Sequence, residues 1–327
     1  MRITILTYIE SETDPVDVAV RQVAAALRRK KHKVSILGIH GDLDRLMRGL
    51  RRRKPDLVFN MMEMFGDDAR ADFTVAGVLD LMGVPYTGSG PAELFLSQDK
   101  VIGKKLLHFD GIKYPRFAVF AHADSLETGG NLRLPLFVKP ARMDASIGIG
   151  KKSLVHDTTA LMRRVVAIHD ELGDAALAEE YIEGREFYVG IVGNTNPQAM
   201  PPIELDFSGL PEGMLKVADQ ASKFYEGTAA YEGTKTVVAE LPDELRARLQ
   251  RVALEAYRAL RVKDYGRVDL RYTETGEIYV LEVNASCYLE KDSELAMASR
   301  AAGIPFDDLI QRIVECAVAR YKRKTQG

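Results

Sequence analysis

Apolar residues along the first hundred positions change repeatedly between two spacings. Short apolar runs at residues 3–9, 34–39 and 56–59 have the length of buried strands. After the first run, the apolar positions recur every three to four residues, as on one face of a helix: Val16, Val20, Val23, Ala24 and Leu27. A second helical stretch spans residues 73–79, and residues 84–86 form another apolar run. This alternation predicts a parallel sheet with helices on its faces.

The pattern changes after the glycine- and proline-rich stretch at residues 87–91, which is predicted to separate the first lobe from the rest. A helix is expected to begin near Asp99. Strands are then expected at residues 116–120, 136–139, 175–181, 186–192, 199–205, 265–271 and 278–284. Three amphipathic helices are expected at residues 157–172, 242–260 and 306–317. The predicted class is therefore α/β with α+β lobes.

Composition and charge narrow the classes of partner. The 327 residues are 46% hydrophobic and 28% charged, which is typical of a globular protein with a sizeable core. Because 45 Lys and Arg residues balance 47 Asp and Glu residues, we predict small-molecule substrates and no nucleic-acid partner. No apolar run is long enough to span a membrane, and residues 1–9 lack the features of a secretion signal. A cytoplasmic location is expected.

Two glycine-dependent nucleotide motifs are absent. Residues 7–12, TYIESE, contain no glycine that would let a dinucleotide pyrophosphate approach the following helix. Residues 148–153, GIGKKS, do not have the spacing of a P-loop. The sequence thus argues against a dinucleotide-dependent dehydrogenase and against a P-loop NTPase.

Cysteine and histidine offer no alternative reactive centre. Cys287 and Cys316 are the only cysteines, and the six histidines show no metal-ligand spacing. Cys287 follows Asn284 closely, but the sequence places no base near it, so we predict a packing residue rather than a nucleophile.

The clearest chemical pattern lies on the two last predicted strands. Side chains two apart on a strand share a face, so Arg267 lies on the same side as Asp269, and Glu282 on the same side as Asn284. Carboxylate and amide oxygens suit Mg²⁺, which takes a few such ligands and completes its shell with water and phosphate oxygens. Arg267 could stabilise charge on a transferring phosphate. A hairpin with its polar face in water explains the same pattern equally well.

Two weaker patterns lie in the middle of the chain. Lys139 ends an apolar strand before the loop at residues 145–150, whose small residues, Ser146 among them, could present main-chain N–H groups to phosphates. A solvated lysine is the commoner explanation of Lys139 alone. At residues 178–182 an apolar strand ends in acidic residues, where Glu179 or Glu186 could accept hydrogen bonds from a base or a ribose. Exposed strand ends often have the same composition.

Taken together and in this order, these segments resemble the ATP-grasp superfamily, and within it the D-alanine–D-alanine ligase family. The strongest matches are MGVPYTGSG at residues 82–90, SQDK at 97–100, FVKP at 137–140, YGRVD at 265–269 and LEVN at 281–284. The resemblance implies an ATP-grasp fold in three domains: an N-terminal parallel-sheet domain at residues 1–96, a central lobe at 97–183 and a C-terminal lobe with the metal site at 184–327.

The resemblance also implies roles for individual residues. Lys100, Lys139 and Lys223 match lysines that contact ATP phosphates; Glu179, Glu180, Tyr181 and Ile182 match the adenine-reading segment, and Glu186 the ribose contact. Asp269, Glu282 and Asn284 match the ligands of two Mg²⁺ ions, with Mn²⁺ as an alternative, and Arg267 matches the arginine at the reaction centre. The implied reaction phosphorylates a carboxylate and then joins the acyl group to an amine. A homodimer is also implied.

The departures from the family pattern concentrate around the substrates. Glu12 is the only equivalent of the glutamate that positions the first D-alanine, and Phe224 and Ala145 replace the tyrosine and serine that accompany it. Ser293 and Glu294 stand where a Ser-Leu pair meets the carboxylate of the second D-alanine. Unless it faces away or pairs with a cationic substrate, Glu294 would repel an anionic group there.

Three functions are consistent with these residues. The favoured one is a carboxylate–amine ligase of this family that acts on different substrates, expected to be amino acids or peptide-like amines. The second is a genuine D-alanine–D-alanine ligase of cell-wall synthesis. The third is a nucleotide-binding regulator without catalysis, which the presence of every metal and phosphate match disfavours.

Overall fold

The computed structural model describes residues 1–11, 13, 15–68, 70–121, 126–128, 131–143, 147–217, 225 and 227–324. The strands in this part of the chain are β1 (Arg2–Tyr8), β2 (Lys33–Ile39), β3 (Leu57–Met61), β4 (Phe117–Phe120), β5 (Leu126–Thr128), β6 (Leu136–Pro140), β7 (Leu154–Val155), β8 (Ala176–Glu180), β9 (Arg185–Val192), β10 (Gln198–Ala199), β11 (Ile203–Asp206), β12 (Lys235–Val238), β13 (Tyr265–Tyr272) and β14 (Ile278–Asn284). The helices are α1 (Val18–Arg29), α2 (Leu43–Arg53), α3 (Asp72–Leu81), α4 (Pro91–Gln98), α5 (Lys100–Phe109), α6 (Thr158–Leu172), α7 (Ala229–Gly233), α8 (Asp243–Ala259), α9 (Glu294–Ala301) and α10 (Phe306–Lys324).

The first sheet confirms the predicted parallel architecture. Its order is β2-β1-β3, and both neighbours of β1 run parallel to it. The helical stripe of α1 is buried, with Val20, Val23 and Leu27 at 2% exposure or less. The predicted strand at residues 84–86 is reduced to a single parallel bridge between Val58 and Tyr86.

Aspartates at helix N-termini explain where several helices begin. The side chains of Asp17, Asp99 and Asp157 accept hydrogen bonds from main-chain N–H groups in the first turns of α1, α5 and α6. These bonds satisfy N–H groups that have no partner within the helix. Gly173 ends α6 with φ 60°, a left-handed conformation that glycine adopts without strain.

The other two sheets are largely antiparallel. A five-stranded sheet has the order β5-β4-β8-β6-β7, and a six-stranded sheet has the order β12-β11-β9-β13-β14 with β10 beside β9. Residues 181–184 connect β8 of the first of these sheets to β9 of the other. Each of the three sheets falls within one of the three predicted domains, whose boundaries stay a prediction.

The stretch at residues 87–91 is not an exposed separator. Thr87 is fully buried and Ser89 is 1% exposed. The Gly88 N–H donates to Asp264 at 2.9 Å, and Ser89 accepts from the Lys263 N–H at 3.0 Å. The stretch therefore ends the first sheet but joins it to the C-terminal part of the chain, and α4 begins directly after it.

Other expected elements also differ in detail. The strand predicted at residues 199–205 is two strands, β10 and β11, because Pro201 and Pro202 lie between them and proline provides no N–H for a sheet. The helices α2, α4, α7 and α9 and the short strands β5, β7 and β12 were not predicted. Helices from both ends of the chain pack together, and Arg29 of α1 pairs with Asp307 of α10 at 2.5 Å. No helix within the described ranges is long and apolar enough to cross a membrane.

Candidate active site

The polar residues of the β13–β14 hairpin lie on one face, as predicted. Asp269 is directly opposite Glu282, and Arg267 is opposite Asn284. The Asn284 side chain donates to Asp269 Oδ2 at 3.1 Å, while the intervening Val268 is fully buried on the other side. A register irregularity directly after Asp269 interrupts the pairing of β13 with β14. The alternative of a hairpin with its polar face in water does not hold, since these side chains are partly or fully buried.

Glu282 is linked to the lysine that begins α5. Lys100 Nζ lies 3.0 Å from Glu282 Oε1 and donates to the Met143 carbonyl at 2.8 Å. Burial raises the pKa of Glu282, but Lys100, Lys139 and Arg267 outweigh burial and hold that pKa well below its usual range. Glu282 is therefore an anion at neutral pH, and three predicted site cations lie close enough to act on it.

Arg267 is enclosed by carboxylates and an aromatic ring. Its Nε and Nη2 donate to Asp269 at 2.7 and 2.9 Å, and its Nη1 donates to Glu294 at 3.0 Å. The guanidinium carbon lies 4.5 Å from the centre of the Tyr188 ring. Burial lowers the pKa of Arg267, but Asp269 and Glu294 together outweigh burial and raise that pKa above its ordinary value. The side chain therefore stays charged.

The position of Glu294 answers the question, left open by the sequence, whether this side chain faces away from the site. This carboxylate does not face away from the site, because it binds Arg267. Arg267 also pairs with Asp269, so its single positive charge is shared between two carboxylates. The neighbouring Ser293 hydroxyl donates to the Glu290 carbonyl at 2.7 Å, which closes the turn before α9.

Glu179 lies between two lysines in the interior. Lys139 Nζ is 2.6 Å and Lys104 Nζ is 2.9 Å from its two oxygens, and all three side chains are at most 8% exposed. Burial raises the pKa of Glu179, but the two lysines lower it below its ordinary value. Burial lowers the pKa of Lys104, and Glu179 opposes that shift. Two cations on one carboxylate leave a positive charge that suits an anionic ligand.

Glu186 is also paired. Arg271 Nη2 lies 2.5 Å from Glu186 Oε2, and the Tyr188 hydroxyl donates to Glu186 Oε1 at 3.0 Å. The same guanidinium donates to the Gly184 carbonyl at 3.2 Å and lies 5.9 Å from the Tyr181 ring centre. Glu186 is thereby fixed at the connection between the two large sheets.

The other three residues of the predicted adenine-reading segment, at positions 180–182, have different surroundings from Glu179. The Glu180 side chain pairs with Arg116 at 2.5 Å, so it is engaged on the opposite face of β8 from Glu179. Tyr181 packs near Phe137, with ring centres 6.5 Å apart, and Ile182 is partly buried. The N–H groups of Glu180 and Tyr181 donate to the carbonyls of Arg116 and Pro135, and the adenine-reading role of this segment stays a prediction.

Some predicted residues lie outside the described part of the chain. They are Glu12, Ser146 and Lys223, together with the substituted positions Ala145 and Phe224. Their predicted roles stay predictions.

The oxygen donors of the hairpin fit magnesium. Within the described residues, no three His, Cys, Asp or Glu side chains form a metal cluster. Asp269 and Glu282 face each other, however, and the Asn284 amide, whose nitrogen donates to Asp269, carries a third oxygen donor. Two carboxylates and an amide suit an ion that keeps several waters and takes phosphate oxygens from a nucleotide.

Two charged residues of the site, Lys104 and Arg271, were not predicted from the sequence. Lys104 lies one helical turn after Lys100, so the i, i+4 spacing would have placed both lysines on one face of α5. Arg271 lies two residues after Asp269, and the alternation that found Arg267 and Asp269 extends to it. Their partners, Glu179 and Glu186, come from other strands and could not be read from spacing.

Cys287 has the properties of a packing residue. It is 8% exposed, and burial raises its thiol pKa to about 12. The thiolate is the reactive form, so we expect alkylation of Cys287 by iodoacetamide at pH 8 to be slow in the folded protein and rapid after unfolding. Mass spectrometry of the labelled peptide checks this, with the Cys287→Ala variant expected to keep its activity. Rapid labelling of folded protein with loss of activity would contradict it.

Comparison with known proteins shows relatives along nearly the whole chain. The family described as "D-ala D-ala ligase C-terminus" matches residues 106–315. A D-alanine–D-alanine ligase of Desulfotalea psychrophila is 31% identical over 306 residues, which cover 92% of this chain and 90% of that protein. An uncharacterized protein of Sinorhizobium fredii is 34% identical over 307 residues, which cover 91% and 87%.

A solved structure extends this similarity to the fold. The crystal structure of D-alanine–D-alanine ligase from Bacillus anthracis complexed with ATP matches with a TM-score of 0.77 and 25% identity over the whole of both chains. This confirms the predicted ATP-grasp fold. The chain belongs to the D-alanine–D-alanine ligase family of the ATP-grasp superfamily and is an ATP-dependent carbon–nitrogen ligase.

Proposed function

We propose that this enzyme joins a carboxylate to an amine through an acyl phosphate, with ATP bound between the five-stranded and six-stranded sheets. The observation that carries the proposal is the grouping of Asp269 and Glu282 with Lys100, Lys139 and Arg267. Oxygen ligands for a metal and cations for phosphates are the two components that phosphoryl transfer needs in one place.

Asp269, Glu282 and Asn284 would hold two Mg²⁺ ions, or Mn²⁺, and the bound metal supplies positive charge to the nucleotide phosphates. A carboxylate oxygen of the first substrate attacks the γ-phosphorus, and the bond to the ADP oxygen breaks. The amine nitrogen then attacks the acyl carbon, the bond to phosphate breaks, and the nitrogen loses a proton. Arg267 is placed to stabilise negative charge during these steps.

The charged residues of the nucleotide-free site are arranged so that they can exchange ion-pair partners when Mg-ATP binds. Lys100 pairs with Glu282, and Lys139 shares Glu179 with Lys104. When Mg-ATP binds, the phosphates would replace Glu282 as the partner of Lys100, and the metal would replace Lys100 as the partner of Glu282. Lys100 and Glu282 then each have a partner of opposite charge in both states, which limits the desolvation cost of these two groups in the empty site.

The substrates are proposed to differ from two D-alanines. The relatives named D-alanine–D-alanine ligase support an amino acid as the carboxylate substrate. Glu294, beside Arg267, adds a carboxylate where the amine substrate is expected. A second negative group nearby disfavours an anionic amine, so an amine without a free carboxylate at this position fits better.

A pairwise screen of carboxylates and amines tests this proposal. Mg-ATP-dependent phosphate release is measured for each pair, and the product is identified by mass. We expect release to require both partners and the best pair to differ from D-alanine with D-alanine. Efficient formation of D-alanyl-D-alanine would instead support the genuine D-alanine–D-alanine ligase. Tight Mg-ATP binding without release for any pair would support the non-catalytic regulator.

The need for ATP supports the expected cytoplasmic location, and the family supports the expected homodimer.

A further inference from the structure

A row of buried side chains connects the two ends of the proposed nucleotide site. Strands β9 and β13 are neighbours, with Arg271 opposite Glu186 and Asp269 opposite Tyr188. Side chains at these positions share one face of the six-stranded sheet. Arg271, Glu186 and Tyr188 are 4%, 5% and 2% exposed.

Arg271 fixes one oxygen of Glu186 and the main chain around it. Its Nη2 lies 2.5 Å from Glu186 Oε2, and its Nη1 donates to the carbonyls of Gly184 at 3.2 Å and Lys216 at 3.4 Å. A planar guanidinium with several donors can hold a carboxylate and two carbonyls in one geometry, which a lysine cannot reproduce. Glu186 therefore has little freedom to rotate.

Tyr188 fixes the other oxygen and also supports the reaction centre. Its hydroxyl donates to Glu186 Oε1 at 3.0 Å, and its ring carries the Arg267 guanidinium at 4.5 Å. Burial and the neighbouring Glu186 raise the pKa of Tyr188 well above its ordinary value, so the hydroxyl keeps its proton as a donor. One side chain thus contacts both the proposed ribose ligand and the proposed phosphate-stabilising arginine.

We propose that Arg271 and Tyr188 are positioning residues that hold the Glu186 carboxylate toward the ribose hydroxyls, so that the enzyme selects ribonucleotides over deoxyribonucleotides. This inference rests on the proposed ATP site. A carboxylate that is already oriented loses little conformational entropy when it accepts hydrogen bonds from a ligand. Each Glu186 oxygen can accept a further hydrogen bond beside the one from Arg271 or Tyr188, so a ligand that lacks a ribose hydroxyl forms one bond fewer to this buried anion.

The test compares the affinities of ATP, 2′-deoxy-ATP and 3′-deoxy-ATP in the presence of Mg²⁺, measured by calorimetry on the full-length enzyme. We expect the wild-type protein to bind ATP about 10- to 100-fold more tightly than at least one deoxynucleotide, the range for a hydrogen bond to a charged group. The Arg271→Met and Arg271→Lys variants should lose most of this ratio. Tyr188→Phe should lose part of it while keeping the ring under Arg267, so its KM for ATP is expected to rise by a larger factor than its kcat falls.

Arg185→Met is the matched control. Arg185 lies at the start of β9 and pairs with Glu204 at 2.7 Å, but its side chain is 45% exposed. We expect this variant to keep the wild-type ratio. Arg271→Lys remains informative if Arg271→Met does not fold, and thermal unfolding identifies that case.

Two results would overturn the inference. One is a wild-type protein that binds ATP and both deoxynucleotides equally. The other is an unchanged ratio in folded Arg271 and Tyr188 variants. Absence of any ATP binding by the wild-type protein is a separate outcome, and it would overturn the proposed ATP site itself together with this inference.

Discussion

Replacing Glu282 by Gln is expected to reduce Mg-ATP-dependent ligation by about 10²- to 10³-fold or more, the loss seen when one preorganised electrostatic group is removed from a reaction centre. The substitution keeps the size of the side chain but removes one of two facing carboxylates of the proposed metal site. An amide is a weaker ligand for Mg²⁺ because it carries no net charge. Raising the Mg²⁺ concentration should restore part of the activity, which distinguishes a metal ligand from a structural residue.

The substitution also affects the empty site. Lys100, which is 7% exposed, loses the charge of its partner at 3.0 Å. Glu277→Gln is a suitable control, because Glu277 directly precedes β14 but pairs with Lys113 at the surface. Near-normal turnover of Glu282→Gln at low Mg²⁺ would rule out the proposed metal role.

Replacing Glu179 by Gln is expected to lower the free energy of unfolding by about 3–5 kcal/mol, the typical cost of removing one partner of a buried ion pair. The substitution leaves Lys104 and Lys139 without the carboxylate that lies 2.9 and 2.6 Å away. Urea unfolding at pH 7 measures the difference. Glu180→Gln is the matched control on the same strand, since its partner Arg116 is 43% exposed, and a cost below about 1 kcal/mol is expected.

The stabilisation by Glu179 is expected to depend on pH, and the shift in the pKa of Glu179 gives the direction of that dependence. The pKa of Glu179 is lowered in the folded protein, from an ordinary value of 4.5. Its stabilisation is therefore fully present above pH 4.5 and decreases as the pH falls through the lower folded-state pKa. The stability difference between wild type and Glu179→Gln should shrink below pH 4.5. A difference that stays constant down to acid pH would contradict the proposed ionisation of Glu179.

The sequence predicted those parts of the site that follow from local periodicity. Alternation along β13 and β14 placed Arg267 beside Asp269 and Glu282 beside Asn284, and the structure has them on one face. The helical stripe of α1 and the parallel first sheet were predicted in the same way. In each case the prediction depends only on residues within one or two elements.

The partners of these residues could not be predicted, because they come from distant parts of the chain. Lys104 meets Glu179 only when α5 packs on β8, and Arg271 meets Glu186 through the pairing of β13 with β9. Glu294 pairs with Arg267 of β13, a contact that spacing could not indicate, and its expected substrate role stays a prediction. Spacing identifies the face of an element, whereas the neighbour of that face depends on the whole fold.

The most direct test of the central proposal follows one oxygen atom through the reaction. A carboxylate substrate identified by the screen is labelled with ¹⁸O in its carboxyl group and incubated with enzyme, Mg-ATP and the amine. If an acyl phosphate forms, mass spectrometry will find one ¹⁸O in the released phosphate for each amide formed. Amide formation with unlabelled phosphate would contradict the account.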